Sequence, residues 1–161
     1  MKIKRSELIL KDFFLLGQQI EFIDGESGYN DPVSDLFEKY NVDIDFKIEN
    51  NDDRKLLYLF VRVLINVDEE IPGYRIYTEC NAIYSFQDDI ELTEQDKADL
   101  LFGSGLSMCI NQLRSLIASA TSMFPLGKYF IPSIDINQLM ADKKKLMTEK
   151  KKSKKKKSKT E

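Results

Sequence analysis

The sequence contains no histidine and no tryptophan, and only two cysteines and four prolines among 161 residues. Without histidine the chain lacks the commonest general base, the serine–histidine triads and most zinc sites. Gly103-Ser104-Gly105 precedes a predicted helix but lacks the third glycine and the lysine of a phosphate-binding loop. Three pairs of adjacent carboxylates lie in or near predicted turns, where they are usually solvated: Asp52-Asp53, Glu69-Glu70 and Asp88-Asp89. We therefore predict that the protein is not an enzyme and uses no metal or other cofactor.

Long hydrophobic runs are also absent. No apolar stretch approaches the ~18 residues of a membrane-spanning helix, and the segment MKIKRSELIL has no apolar signal core. Cys80 and Cys109 lie in a predicted strand and a predicted helix without a ligand motif around them, which favours two reduced core residues. These features predict a cytoplasmic protein with one folded domain and no membrane span.

The charge is divided by position along the chain. Residues 1–140 hold 13 Lys and Arg against 24 Asp and Glu, whereas residues 141–161 hold 11 Lys against three acidic residues. Residues 148–161 have too few apolar side chains to bury a core, so we predict a disordered tail after a folded domain at 1–147. Three roles are open for this tail: it keeps the protein soluble, it binds anionic lipid or nucleic acid, or it binds another protein. Because no aromatic side chains are interleaved with the lysines, we expect no nucleic-acid partner.

Four strands are predicted in the first half of the chain. Apolar residues at even positions from Leu8 to Phe22 predict that the first strand has one buried face. Short turn signals between the later strands predict an antiparallel meander of strands two, three and four. The third strand is apolar on both faces, which predicts a central strand whose second face is covered by a partner, a ligand or a folded-back loop. The four predicted strands cover residues 6–23, 41–49, 56–67 and 74–86.

A helix predicted from Leu106 to Met123 organises the rest of the chain. Thr93 is a predicted cap for a short preceding helix, and Gly103-Ser104-Gly105 is predicted to separate the two. The buried stripe of the long helix has three- and four-residue spacing: Leu106, Cys109, Ile110, Leu113, Leu116, Ile117 and Ala120. The opposite face carries no charge, unlike a solvated helix face. We predict that this face is a subunit interface, with the residues Ser107, Asn111, Ser115, Ala118 and Ser122.

Two segments outside these elements concentrate aromatic and aliphatic side chains. One lies in and after a predicted loop at residues 24–35, and the other is the linker MFPLGKYFIPS at residues 123–133. Such residues either close the end of the sheet or line an apolar groove, and exposed apolar patches often mark binding sites. We predict a client-binding groove lined by Tyr29, Leu36, Phe37, Tyr40, Phe124, Leu126, Tyr129 and Phe130.

Four predicted strands are followed by a helix reading INQLRSLIASATSM, by a Pro-containing linker and by IPSIDINQLM. This order of elements resembles the SecB family of protein-export chaperones. That family has a motif of the type Pro-x-Ile/Val-Asn/Asp-Phe-x-x-Leu after the linker. Ile136 replaces the usual aromatic residue, and the basic tail differs from the polar or acidic ends of familiar members. The residues that stand at the places of the motif are Pro132, Ile134, Asp135, Ile136 and Leu139.

The resemblance implies a fold and an activity. The implied fold is α+β, a four-stranded antiparallel sheet followed by a long helix and a shorter C-terminal helix, which we place at Ile136 to about Leu146. The implied assembly is a homotetramer, a dimer of dimers with the long helices between the sheets. The implied activity is that of a holdase, which keeps unfolded or precursor proteins in apolar grooves for export without a cofactor. The SecA translocation ATPase is a possible partner under this resemblance.

Two other functions stay open at this point. A SecB-like fold is also compatible with a dedicated partner of one protein, such as an antitoxin or an effector. The third function is that of a small apolar-ligand binder.

Overall fold

The structure is a computed structural model that describes residues 4–25, 32–68 and 71–157, with side chains up to residue 148. It confirms the α+β class, with a four-stranded antiparallel sheet, a long helix and a C-terminal helix. The chain divides into two compact units, Met1–Ile131 and Pro132–Glu161. The first unit contains the sheet and the long helix, and the second contains the C-terminal helix.

The strands of the first unit lie in the order β1-β4-β3-β2, and all neighbours are antiparallel. The predicted meander of the second, third and fourth strands is confirmed, and β3 is central as predicted. On one face of the sheet, alternate residues of β3 and β4 form the core, including Leu59, Val61 and Ala82. The strand bounds are Leu8–Ile23 for β1, Val42–Asn51 for β2, Leu56–Ile65 for β3 and Gly73–Phe86 for β4.

The strand β1 does not present one continuous buried face. Its register against β4 shifts twice within the strand, and each shift moves the following side chains to the other face of the sheet. Leu8 is buried, whereas Leu10, Phe14 and Leu16 are exposed. The single buried face predicted for this strand is therefore wrong over its middle part. In the sheet β1 pairs with β4 on one side only, so it is an edge strand, and several of its apolar side chains are exposed.

The described residues form four α-helices: α1 (Val33–Glu38), α2 (Glu94–Asp99), α3 (Leu106–Thr121) and α4 (Ile136–Lys157). The predicted cap at Thr93 is confirmed by a capping box, in which Thr93 Oγ1 accepts from Asp96 N at 3.1 Å and Thr93 N donates to Asp96 Oδ2 at 3.0 Å. The short helix α1 begins directly after Pro32, inside the segment predicted to be a loop.

The glycines before α3 do not separate two helices. Leu100–Gly105 forms a π-helical turn, and helical backbone angles continue through Gly105 into α3. A Cβ on Gly105 would lie 3.2 Å from Leu8 Cδ2 and 3.3 Å from Leu101 Cδ1. The predicted helix break is wrong, and Gly105 instead allows the helix to pack closely on β1.

The helix α3 covers the core face of β3 and β4. Most of the predicted stripe is buried, including Leu106, Cys109 and Leu113, whereas Leu116 is only half-buried. Ala118 is also buried, at 5% exposure. Ala118 therefore packs in the chain's own core, and its predicted role in a subunit interface stays a prediction.

The second unit consists of α4 and the residues before it. Asp135 is the N-cap, as predicted, because its Oδ1 accepts from Asn137 N at 2.9 Å and from Gln138 N at 3.1 Å. The helix continues to Lys157, past the predicted end near Leu146 and through residues 148–157, for which we predicted disorder. Lysine is a good helix former, so a segment without a core can still extend a helix. Residues 158–161 lie outside the described residues, and the domain boundary at 147/148 stays a prediction.

Candidate functional site

An aromatic cluster lies at the end of the sheet where β1 ends and β4 begins. Tyr74 is its centre, with ring centroids 5.6 Å from Phe37, 5.8 Å from Phe124 and 6.1 Å from Phe22. Tyr129 extends the cluster, 5.1 Å from Phe37. These separations fall in the range of favourable edge and tilted ring packing, worth ~0.5–1.5 kcal/mol per pair. The members of the aromatic cluster are Phe22, Phe37, Tyr40, Tyr74, Phe124 and Tyr129.

The Tyr40 hydroxyl fixes the beginning of β4. It accepts from Tyr74 N at 2.8 Å and lies 3.1 Å from the carbonyl oxygen of Pro72, to which it donates. The Tyr40 hydroxyl fills the space that a side chain at residue 73 would need, since a Cβ on Gly73 would lie 1.9 Å from Tyr40 Oη. The φ of Gly73 is +114°, a backbone conformation that other residues rarely adopt. Glycine is therefore required at residue 73 for both space and backbone angle.

Asn66 holds the turn that precedes β4. Its side chain is fully buried, and its φ is +55°. Asn66 Nδ2 donates to the carbonyl oxygens of Ile71 at 2.6 Å and Tyr74 at 2.9 Å, and Asn66 Oδ1 accepts from Ile71 N at 3.0 Å. One side chain thereby satisfies three backbone groups, of Ile71 and Tyr74, and positions Tyr74.

The linker after α3 is held by hydrogen bonds to the aromatic cluster and to α3. Tyr74 Oη accepts from Leu126 N at 3.0 Å and donates to the carbonyl oxygen of Gly127 at 2.8 Å. Further along, Tyr129 N donates to Thr121 Oγ1 at 2.9 Å. The linker therefore has a fixed path across the end of the sheet.

Phe130 projects from this fixed linker. It lies between Tyr129, which is 2% exposed, and Ile131, which is also buried, whereas Phe130 itself is 59% exposed. Arg114 Nε donates to the carbonyl oxygen of Ile131 at 2.8 Å, which anchors the linker on the other side of Phe130. Met123, at the start of the linker, is 94% exposed. The linker thus presents two large apolar side chains outward.

The residues predicted to line a groove are largely brought together, but they occupy different depths. Leu36, Tyr40 and Tyr129 are buried, so they form a floor and do not line an open groove. Tyr129, which we predicted to line the groove, instead packs inward, where its backbone N–H donates to Thr121 Oγ1. Burial also raises the pKa of Tyr129 to about 12. Tyr29 lies outside the described residues.

The remaining predicted groove residues lie nearer the surface. Phe37, Phe124 and Leu126 are half-buried, and Phe130 is exposed. Together with Met123, these side chains form what we call the linker patch: Phe37, Met123, Phe124, Leu126 and Phe130. Its role in client binding stays a prediction.

Sequence reasoning did not identify Phe22, Asn66 or Tyr74 as members of this region. Phe22 and Tyr74 face each other across the pairing of β1 with β4. That pairing joins strands that are not consecutive, so no local turn signal predicts it. The available signal was the Pro72-Gly73 turn directly before Tyr74.

A second candidate site is a cavity of ≈ 590 Å³ that lies between the β2–β3 turn and α2. An ion pair from Lys55 Nζ to Asp88 Oδ1, 3.1 Å long, joins two of its lining residues. Its volume falls in the range of small-molecule sites. The apolar lining residues include Leu56, Leu57, Phe86, Ile90, Leu92, Leu101 and Phe102.

A third surface combines the outer face of α3 with the edge strand β1. Ser107 is half-buried, and Asn111, Ser115 and Ser122 are exposed. The Ser115 hydroxyl donates to the carbonyl oxygen of Asn111 at 3.1 Å, within the helix. A cavity of ≈ 430 Å³ separates α3 from β1, and its lining includes Leu10, Phe13, Met108, Asn111, Gln112 and Ser115.

The described residues contain no candidate metal site and no candidate membrane-spanning helix. No three His, Cys, Asp or Glu side chains there come close enough together to hold a metal ion. Glu69 and Glu70 lie outside the described residues. No helix in the described ranges is both long and apolar enough to cross a membrane.

Comparison with known proteins gives a likeness of fold. No protein-family model and no curated protein matches the chain. A SecB-like chaperone of Mycobacterium tuberculosis, solved in complex with a ChAD peptide from an antitoxin, superposes with a TM-score of 0.60 and 10% sequence identity. The match covers 80% of this chain and 91% of that one. A protein of unknown function from Streptococcus agalactiae matches with a TM-score of 0.45 and 11% identity, over 81% of this chain and all of that one. The fold is therefore SecB-like.

Proposed function

We propose that this protein is a SecB-like holdase chaperone that binds unfolded or precursor polypeptides through the linker patch, without catalysis or a cofactor. The observation that carries this proposal is the outward projection of Phe130 and Met123 from a linker that hydrogen bonds hold in place. Large apolar side chains in such positions add little to the protein's own core. They are available to bind apolar segments of another chain.

The arrangement suits a ligand of variable sequence. Half-buried Phe37, Phe124 and Leu126 surround the buried floor of Tyr74 and Tyr129. Dispersion and hydrophobic contacts on such a surface add up without requiring one client sequence. Because the floor is already packed, little conformational entropy is lost when a client binds.

The fold supports a polypeptide partner but does not distinguish a general from a dedicated chaperone. The Mycobacterium tuberculosis neighbour has a SecB-like fold and was solved with a peptide from an antitoxin. That peptide fits the alternative function equally well, a dedicated partner of one protein such as an antitoxin or an effector. A role in export, with SecA as a partner, is part of the first proposal.

We also propose self-association through α3 and β1, towards a tetramer that is a dimer of dimers. The outer face of α3 has exposed Asn111 and Ser115, and the neighbouring strand exposes Leu10, Leu15 and Leu16. An apolar edge strand left open is prone to pair with another chain. Covering this surface would bury apolar side chains that are exposed in the single chain.

The ≈ 590 Å³ cavity favours a second function, the binding of a small apolar ligand. Its lining combines apolar side chains such as Phe86 and Leu101 with polar and charged ones such as Lys55 and Asp88, and small-molecule sites often pair apolar walls with placed polar groups. Mass spectrometry of the native protein tests for a co-purified lipid or other small molecule. A bound compound lost on the substitution Ala98→Phe would support this function.

The test of the leading proposal is suppression of aggregation of two unrelated chemically unfolded proteins. If the chaperone, at a concentration close to that of the client, suppresses the aggregation of both proteins, the result supports a general holdase. Suppression of neither, together with capture of one stoichiometric protein from a lysate of the protein's own source, supports the dedicated partner. Failure in both measurements contradicts a chaperone function.

A further inference from the structure

The helix α4 carries large apolar side chains along one side of its first half. They recur at steps of three and four residues, a spacing that aligns side chains on one side of a helix. Leu146 and Met147, the last of the series, are 54% and 55% exposed. Lys143 stands in the gap of the series and is half-buried, as expected of a lysine whose carbon stem lies along apolar neighbours. What we call the α4 stripe consists of Ile136, Leu139, Met140, Leu146 and Met147.

The same helix continues into the most basic segment of the chain. Residues 141–161 hold 11 Lys and three acidic residues, a net charge of +8, and α4 extends through residue 157. One of these acidic residues, Asp142, is held within the helix, because its Oδ1 lies 3.3 Å from Lys145 Nζ and its Oδ2 accepts from Gln138 Nε2 at 2.9 Å. An apolar stripe and a strongly positive segment therefore follow one another on a single helix.

We propose that α4 is a membrane-binding helix, which lies on the surface of a bilayer that contains anionic phospholipid. Helices of this kind combine apolar side chains, which enter the boundary between headgroups and acyl chains, with lysines that are attracted to the negative surface. The α4 stripe supplies the first part, and the lysines of residues 141–159 supply the second. This contact is separate from the client binding proposed for the linker patch.

Two features of α4 favour a bilayer over a nucleic acid. The phosphates of a nucleic acid also attract lysines, but that attraction makes no use of exposed apolar side chains such as Leu146 and Met147. Residues 141–161 also contain no arginine, the residue whose planar guanidinium makes paired hydrogen bonds to phosphates and to base edges. An anionic bilayer accounts for the charge and for the stripe together.

The first test measures co-sedimentation of the full-length protein with lipid vesicles. Vesicles of phosphatidylcholine alone are compared with vesicles in which about a third of the lipid is phosphatidylglycerol. We expect the anionic vesicles to bind the protein at least ~10-fold more tightly, and this binding to weaken as added salt screens the lysines. Absence of binding to the anionic vesicles, or equal binding to both kinds, would overturn the proposal.

The second test asks whether the stripe takes part. Leu146→Ser with Met147→Ser removes the two exposed apolar side chains and leaves every lysine in place. We expect this variant to bind the anionic vesicles several-fold more weakly than the wild type. The control is Val33→Ser with Val67→Ser, which removes two exposed apolar side chains of the first unit and is expected to bind like the wild type. Unchanged binding by the stripe variant, or an equal loss in the control, would overturn the proposal.

The third test asks whether the lysines take part. Lys150→Gln with Lys151→Gln and Lys152→Gln removes three positive charges and leaves the α4 stripe unchanged. We expect this variant also to bind the anionic vesicles several-fold more weakly, and to depend less on the salt concentration. Binding equal to that of the wild type would show that the basic segment does not contact the lipid, and would overturn the proposal.

The fourth test distinguishes a bilayer from a nucleic acid. The chain has no tryptophan, so Met147→Trp and Thr148→Trp each introduce a single fluorescent reporter, the first on the stripe and the second about 100° away around the helix. With anionic vesicles we expect the emission at residue 147 to move to shorter wavelengths and the emission at residue 148 to move less. With duplex DNA we expect no such shift. Equal shifts at both residues with vesicles, or the same shift with DNA as with vesicles, would overturn the proposal.

Discussion

Tyr129 and Phe130 are adjacent in the linker, yet Tyr129 is 2% exposed and Phe130 is 59% exposed. The hydrogen bond from Tyr129 N to Thr121 Oγ1 turns the first ring towards the core, and the anchor at Ile131 leaves the second ring outside. The buried Tyr129 therefore stabilises the fold, whereas the exposed Phe130 belongs to the proposed client-binding surface.

This separation predicts that substitution by alanine lowers the free energy of unfolding much more at residue 129 than at residue 130. Tyr129→Ala removes a buried ring and is expected to lower the free energy of unfolding by ~3–5 kcal/mol. Phe130→Ala removes an exposed ring and is expected to change it by less than ~0.5 kcal/mol. Chemical denaturation of the two variants and the wild type measures both values. Equal destabilisation would show that Phe130 is also part of the core.

A second prediction concerns Gly73. Gly73→Ala places a Cβ 1.9 Å from Tyr40 Oη at a φ of +114°, so steric overlap and backbone strain are expected to lower the free energy of unfolding by ~2–5 kcal/mol. Gly127 is a matched control, because its φ is +73° but nothing lies within 4 Å of an added Cβ. Gly127→Ala is expected to lower the free energy of unfolding by only ~1–2 kcal/mol. A smaller loss at residue 73 than at residue 127 in denaturation curves would contradict the described turn.

The third prediction concerns assembly. Ser115→Glu introduces a charge on the outer face of α3, and burying it unpaired between subunits would cost several kcal/mol. We expect this variant to form smaller particles than the wild type in light scattering at micromolar concentration. Ser34→Glu is the control, since it adds the same charge at an exposed position of α1. A monomeric wild type would contradict the proposed interface.

The fourth prediction concerns alkaline pH. Burial raises the pKa of Tyr129 from 10.0 to about 12 in the folded protein, so the unfolded chain loses this proton at a lower pH than the folded one. The contribution to stability is fully present below pH 10 and is lost as the pH rises through 12. Relative to its own stability at pH 9, Tyr129→Phe should lose ~1–3 kcal/mol less than the wild type by pH 12. Equal losses in denaturation curves across this range would contradict a buried phenol.

The sequence predicted those parts of the fold that depend on local pattern. Alternation of apolar residues located β2, β3 and β4, and the hydroxyl of Thr93 marked the beginning of α2, because such signals act over a few residues. The bulges in β1 and the continuous helix through Gly105 were not predictable in this way. They depend on the pairing of β1 with β4 and on the close contact between Gly105 and Leu8.

The sequence predicted which residues belong to the candidate site, but it did not predict which of them are buried and which are exposed. Composition indicated that the aromatic residues after α3 and around residue 37 belong together, and most of them meet in the aromatic cluster. Which ring is buried depends on single hydrogen bonds, such as the one from Tyr129 N to Thr121.

The measurement that tests the central claim most directly compares suppression of client aggregation by two double variants. Met123→Ser with Phe130→Ser removes the two outward side chains of the linker patch, and Val67→Ser with Ile90→Ser removes two exposed apolar side chains elsewhere. All samples are first shown to melt at the wild-type temperature. We predict that the linker variant loses most of the suppression of an unfolded client, and that the control variant keeps it. Undiminished suppression by a linker variant that melts like the wild type would contradict client binding at the linker patch.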